Sequence, residues 1–270
     1  MTVAWRDTAR KLLPAPILAR VRAARWALRR FRHRWRWLAS GRRGPGIGIG
    51  TFGGRPVAYR MHSVDTAVLH HSFDNDIFFR AAPNADIAET AVILDVGAHI
   101  GTFALLASEK VPRGRVYALE ASRETFELLR VNIELNRRHN ITAEHLAIAG
   151  SDQPVRLHHD PGGNYGHSIT SKLSDSSEVV GGVSLARYLD DRGIETVALA
   201  KFNCEGAEFP SLLAAPPQVL RRIRTMVVLY HCDLAAQPVS TLTGHLRAGG
   251  FTTEVREESA DRGWIIARQT

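Results

Sequence analysis

Asp95 and Glu120 each close a short apolar run, residues 91–96 and 115–120. Runs of this kind read as buried strands, and open α/β sheets collect ligands at the carboxyl ends of their strands. After Asp95 come Gly97 and Gly101, in the spacing D-x-G-x-x-x-G. Gly97 permits a turn, and Gly101 is expected to let the following helix start lie close to a ligand. The middle glycine of the G-x-G-x-x-G dinucleotide fingerprint is absent, which argues against NAD or FAD. A carboxylate beside the turn suits a cationic or amine-bearing ligand, and S-adenosylmethionine is both. Taken alone, the motif is also consistent with an ordinary strand–turn–helix corner. Glu120 adds weight, because a carboxylate there can accept hydrogen bonds from both ribose hydroxyls of an adenosine. Glu205 and His231, each just past a later strand, are the groups placed to take a proton.

These residues need a sheet to hold them. Residues 91–96, 115–120, 141–148, 196–203 and 224–231 read as buried strands, and 251–256 with 263–268 as two closing ones. Helical patterns fill the gaps from Gly101, from Ser122, over 183–191 and over 238–248. The helix from Ser122 is expected to turn Phe126, Leu129, Ile133 and Asn136 inward. Such alternation predicts an α/β fold with a doubly wound sheet. The turn from Ala147 to Asp152 would flank an adenine, with Ser151 or Asp152 accepting from its amino group; a plain surface turn fits equally. Glu205 has a second reading, since an acid near a helix N-terminus is favourable without any catalysis. Glu208 reads as structural, and Lys201, inside a strand, as snorkelling or paired with an acid.

Upstream, Gly41–Gly54 breaks the pattern and marks a boundary, with a hairpin about Gly53 and Gly54. Residues 70–80 mix aromatics with Asp74 and Asp76; a surface element is favoured over a lid. The predicted organisation is a basic leader over 1–43, a linker with hairpin or lid over 44–80, and the main domain over 81–270. Residues 153–182 are rich in Gly, Ser, His and Asp without a sustained period, and the tract over 158–168 reads as a substrate loop or short hairpin. His158, His159 and His167 lack a carboxylate at ligand spacing, so no metal is assigned.

The net charge of +8 is unevenly spread. Residues 1–43 hold twelve Arg and one Lys against Asp7, a balance of +12, and the remainder stands at −4. Ile17, Val21, Ala24, Leu28, Phe31, Trp35 and Leu38 recur at steps of four and three, a helical apolar stripe among arginines. Residues 17–38 are therefore expected to touch an anionic membrane surface, or to pack on the body or a partner. No base-reading motif accompanies the arginines, so nucleic acid is not expected. No arginine-free apolar run is long enough for a signal peptide or a membrane span. With only Cys204 and Cys232 present, the prediction is a cytoplasmic protein, peripheral to the inner membrane surface at most.

DVGAHIG, YALEAS and FNCEGAE, in that order, resemble the FkbM-type family of S-adenosylmethionine-dependent class I methyltransferases. The resemblance spans roughly residues 74–268. It implies a seven-stranded Rossmann-like sheet with the last strand antiparallel, and O-methylation of a hydroxyl on a sugar, polyketide or lipid-linked small molecule. Asp95, Gly97, His99 and Gly101 would then line the methionine end of the cofactor and Glu120 the ribose. Ala147, Asp152 and Asn203 complete the cofactor set, and Glu205 and His231 are the catalytic candidates. The chain departs from the family at Asn203, Leu229 and Ala186, where members tend to carry acids. That weakens any divalent-metal reading. It also sets a second hypothesis beside the first: a degenerate methyltransferase fold serving as a membrane- or partner-binding module.

Overall fold

The computed structural model describes residues 46–160 and 166–270, so the basic stripe of residues 17–38 lies outside the described residues. The first element is a hairpin, β1 (Ile47–Phe52) and β2 (Arg55–Arg60), turning at Gly53 and Gly54. An isolated two-stranded hairpin is marginal in water. This one docks: Phe52, Val57 and Tyr59 are buried in the same core cluster as Ile100, Phe103 and Leu129. Each such side chain contributes about 1.5–3 kcal/mol when fully buried. Short helical pieces follow, α1 (Asp65–Leu69), a π-helical turn over 70–74, and α2 (Ile77–Ala81). The structure differs here from the expected surface element. Phe78 and Phe79 are buried against Phe103, because the segment roofs the sheet's ligand end.

The main sheet then builds in alternation. β3 (Val92–Val96), α3 (Thr102–Lys110), β4 (Arg115–Glu120), α4 (Arg123–Leu135) and β5 (Ile141–His145) make its first half. Four short strands come next: β6 (Ala147–Ala149), β7 (Val155–His158), β8 (Ser177–Val180) and β9 (Gly182–Ser184). β6 pairs with β9 and β7 with β8, outside the main sheet. The second half comprises α5 (Leu185–Asp191), β10 (Val197–Phe202), α6 (Glu208–Leu213), α7 (Pro217–Leu220) and β11 (Ile223–His231). α8 (Cys232–Ala235), α9 (Val239–Ala248), β12 (Phe251–Glu257) and β13 (Arg262–Gln269) complete it.

The seven strands run in the order β12-β13-β11-β10-β3-β4-β5. All neighbours are parallel except β13, which is antiparallel to both β11 and β12. Parallel strands must be covered on both faces, and β10 (VALAKF) accordingly buries every residue. Strand order reverses between β3 and β10, which opens a crevice at their carboxyl ends. That crevice positions the site.

Two local readings change. The predicted single strand over 141–148 breaks at Leu146, which turns to line the crevice. The inner face of α4 is Thr125, Leu128, Leu129 and Asn132, with Phe126 and Ile133 only packed at its edge. The cause is Asn132, fully buried although polar. Its Nδ2 donates to the carbonyls of Ala58 and Ile100, and its Oδ1 accepts from Ala58 N at 2.6 Å. It thereby serves as an extra strand partner that ties the hairpin to the turn after β3.

Candidate active site

The turn after β3 depends on residues that accept positive φ. Gly97 has φ +76°, and a Cβ there would lie 1.9 Å from the Asn203 carbonyl oxygen. Only glycine lets the β3 and β10 turns approach so closely. Gly97 N and Ala98 N both donate to Leu119 O, which docks the turn onto β4. His99 also has a positive φ, +53°, and its backbone N–H donates to Glu120 Oε2 at 2.8 Å. Ser122 N donates to the other oxygen, Oε1, at 2.8 Å. Burial pushes the Glu120 carboxyl up, against the pull of these two donors. Each oxygen keeps lone-pair capacity for a further donor, and Glu120 lines the crevice.

Asp95 is placed differently. It is fully buried, and its Oδ1 accepts from Lys201 Nζ at 2.8 Å. The register of β3 against β10 sets this pair, since Asp95 and Lys201 face each other across the ladder. Lys201 Nζ also donates to Gly97 O at 2.6 Å and sits 5.2 Å from the Phe78 ring centroid. Lys201 reaches the crevice wall and Asp95 does not. Burial pushes the Asp95 carboxyl up, with Lys201 opposing. Asp95, a ligand candidate from its motif, is in the fold the ion-pair partner of a buried lysine, and its Oδ2 is buried without a hydrogen-bond partner among the described residues.

Further along the wall, the residues after β10 form a strained turn. Glu205 has φ +52° and Gly206 φ +96° in succession. A non-glycine residue in that region costs roughly 1–2 kcal/mol, and observed strain of this kind clusters at functional sites. Glu208, fully buried at the start of α6, holds the turn: Cys204 N donates to its Oε1 and Gly206 N to its Oε2. Ser168 Oγ, from the loop after β7, donates to the Glu205 carbonyl at 2.7 Å.

Glu205 lines the crevice with His231 behind it, Nε2 lying 3.4 Å from Oε2. That is ion-pair range without hydrogen-bond geometry, and Oε2 is buried with no hydrogen-bond partner among the described residues. The other ring nitrogen of His231, Nδ1, lies 3.2 Å from Glu208 Oε1. Burial pushes the Glu205 carboxyl up to about 7, and Glu208 adds to this while His231 opposes it. Burial alone would lower the His231 imidazole, but the hydrogen bond to Glu208 and both carboxylates outweigh it, so the net direction is up. A carboxyl raised to about 7, beside an imidazole raised above its ordinary value, can accept a proton from a ligand.

The crevice therefore brings together Gly97, His99, Glu120, Ala147, Asn203 and Glu205, and places His231 immediately behind Glu205. Two cofactor candidates besides Asp95 stand apart from it. Gly101 takes φ +88° to start α3, and a Cβ there would meet Leu129 at 2.5 Å, so packing against α4 accounts for it. Asp152 is exposed, and its Oδ1 accepts from Ser184 N at 2.7 Å, which joins the 150–153 turn to the start of α5.

Other residues complete the wall, of which Thr125 had no sequence signal. Phe78, Thr125 and His167 line the crevice, and Arg60 reaches its edge by donating to Thr125 Oγ1. Arg60 is held by a buried ion pair with Asp65 at 2.9 Å. Glu208 did leave a trace: an acid three residues after Glu205, at a helix start, can reach back to the turn's N–H groups.

Fit to S-adenosylmethionine is testable on these atoms. Glu120 has spare acceptor capacity at one end, and Asn203 Oδ1 is buried without a hydrogen-bond partner among the described residues. Ala121, Leu146, Ala147 and Leu157 supply apolar wall for a purine. The residues present fit the group.

The profile described as "Methyltransferase FkbM domain" matches residues 95–251. AMB antimetabolite synthetase AmbE of Pseudomonas aeruginosa is 25% identical over 212 residues, covering 64% of this chain. The match takes up 10% of that protein, so this chain spans about a tenth of the relative's length. Among solved structures, methyltransferase FkbM from Methylobacillus flagellatus is similar at 13% identity and a TM-score of 0.47. That match covers 76% of this chain and 53% of the other. Precorrin-6y C5,15-methyltransferase from Geobacter metallireducens matches at 16% identity and a TM-score of 0.45, covering 72% and 88% respectively.

Proposed function

The chain belongs to the FkbM methyltransferase family, and on that premise we propose that it moves a methyl group from S-adenosylmethionine to a hydroxyl of a small molecule. The observation that carries this reading is the single crevice running from Glu120, a ribose-type acceptor, to Glu205, a poised base. Bound there, the cofactor supplies a methyl carbon already activated by its sulfonium. The residues hold and orient. Glu120 accepts from the ribose hydroxyls, the 97–99 backbone and Asn203 face the amino-acid end, and the apolar wall covers the purine.

Glu205 accepts the acceptor's hydroxyl proton as the O–C bond forms and the S–C bond breaks. Alignment of the acceptor oxygen supplies up to about 7–11 kcal/mol of the barrier reduction. A positioned base adds about 10²–10⁴-fold. A sugar, polyketide or lipid-linked hydroxyl is the proposed acceptor class. Residues 17–38 are proposed to bring the enzyme to an anionic lipid surface, which vesicle pelleting with and without that segment would measure.

The test is transfer of labelled methyl groups from S-adenosylmethionine into small molecules of a cell extract. Label on a hydroxyl oxygen supports the reading. Binding of S-adenosylhomocysteine with no turnover on any acceptor would instead favour a degenerate fold. Among the described residues no helix is long and apolar enough to cross a membrane.

A further inference from the structure

Glu208 does not itself line the crevice, yet three donors converge on its buried carboxylate. Two are backbone N–H groups, from Cys204 at 2.6 Å and Gly206 at 2.8 Å. The third is the His231 ring, with Nδ1 at 3.2 Å from Oε1. Backbone N–H groups can only donate, so they favour a carboxylate that accepts on both oxygens. An accepting oxygen opposite Nδ1 requires the imidazole proton to sit on Nδ1. That choice leaves Nε2 on the Glu205 side, at 3.4 Å from Oε2.

We propose that Glu208 is a positioning residue which locks the His231 proton onto Nδ1, so that Glu205 and His231 Nε2 take up the acceptor's proton as one unit. This rests on the hydroxyl-acceptor reading above. The proton count closes. Before transfer, Glu205 is ionised and the ring carries its proton on Nδ1 alone. As the acceptor oxygen is methylated, its proton passes to the Glu205 carboxylate, whose Oε2 lies 3.4 Å from Nε2 of the neutral ring. The Nδ1 proton stays on the His231 ring throughout, donated to Glu208 Oε1, and the extra proton leaves to solvent before the next cycle.

The charged groups around the ring agree with this assignment. His231 faces Glu205 and Glu208 from the β10–α6 turn, and Arg262 from β13, its register partner. Arg262 is itself paired with Asp233 of α8 at 2.8 Å, which blunts its repulsion of a ring cation. Burial pushes the neighbouring thiols of Cys204 and Cys232 up, so they stay neutral near pH 7. Two carboxylates thus outweigh one already-paired cation.

Full-length protein labelled with ¹⁵N-histidine tests the proposal without any acceptor. Long-range ¹H–¹⁵N spectra across pH 5.5 to 9 report tautomer and titration of each ring, and His231→Asn identifies its signals. The expected wild-type result is a ring whose neutral form keeps its proton on Nδ1, with a midpoint above the ordinary imidazole value. Glu208→Gln should lower that midpoint and mix the tautomers, whereas Glu205→Gln should lower it and leave Nδ1 protonated. If Glu208→Gln lost only thermal stability, with tautomer and midpoint unchanged, Glu208 would be a turn cap and the proposal overturned. Should that variant not fold, the wild-type spectrum decides alone, because a neutral ring protonated on Nε2 contradicts the assignment. Calorimetry with S-adenosylhomocysteine on the same wild-type sample separates the two readings: absent binding would remove the cofactor reading and leave the proton assignment standing.

Discussion

Asp95 and Glu120 look alike in the sequence, each an acid at the tip of a buried strand, and β3 and β4 are neighbours in the sheet. The fold gives them opposite work. Asp95 lies across the ladder from Lys201, and the two charges answer each other below the crevice. Glu120 makes no ion pair among the described residues. Backbone N–H groups of His99 and Ser122 hold it, with lone pairs left for a ligand. A carboxylate held by a lysine neutralises; one held by backbone donors remains an acceptor. The same contrast separates Glu208 from Glu205, the first closed in by donors and the second left open to the crevice.

The contrast can be broken by substitution. The largest effect is expected at Glu205, where Glu205→Gln should cut methyl transfer by about 10²–10⁴-fold while S-adenosylhomocysteine affinity, read by calorimetry, is retained. Because burial pushes this carboxyl up to about 7, wild-type turnover should rise as pH increases through that value, and the variant should lose this limb. The linked stability has the opposite slope. A carboxyl raised in the folded state binds a proton there more readily than in the unfolded chain, so stability falls as pH rises from about 4.5 through about 7. Glu205→Gln should therefore gain thermal stability relative to wild type at pH 8 and not at pH 4.

Next comes Asp95→Ala, which strands Lys201 in the interior and should cost about 3–5 kcal/mol of unfolding free energy in denaturant titration. Affinity for S-adenosylhomocysteine in the protein that remains folded should change little. Glu120→Ala reverses the pattern. Losing hydrogen bonds to a charged acceptor is worth about 1.5–3 kcal/mol, so affinity should fall roughly tenfold to a hundredfold with a smaller stability change. Asp152→Ala should be the mildest: its carboxylate is exposed and bonded to Ser184 N, so calorimetry should find affinity unchanged.

How much of this was legible in the sequence varied with the physics involved. Strands such as residues 115–120 and 197–202 were readable because parallel strands covered on both faces become continuous apolar runs. The Glu120 position was readable because strand tips collect ligands. The pairing of Asp95 with Lys201 spans 106 residues and depends on register, which no local pattern encodes. Asn132 defeated the face assignment of α4 because its partners lie on the hairpin, 74 residues upstream. Phe78 reaches the crevice through a π-helical turn and a left-handed Asp76, a backbone path without a periodic signature. Glu208 was read as structural; its contact with His231 needed β10 and β11 side by side.

A crystal structure with S-adenosylhomocysteine bound tests the central claim most directly. The account predicts both ribose hydroxyls within hydrogen-bond distance of the Glu120 carboxylate, the thioether turned toward Glu205, and Asp95 still on Lys201. It would be contradicted by a nucleoside lying away from Glu120, or by Asp95 released from Lys201 to grip the ligand's amino group.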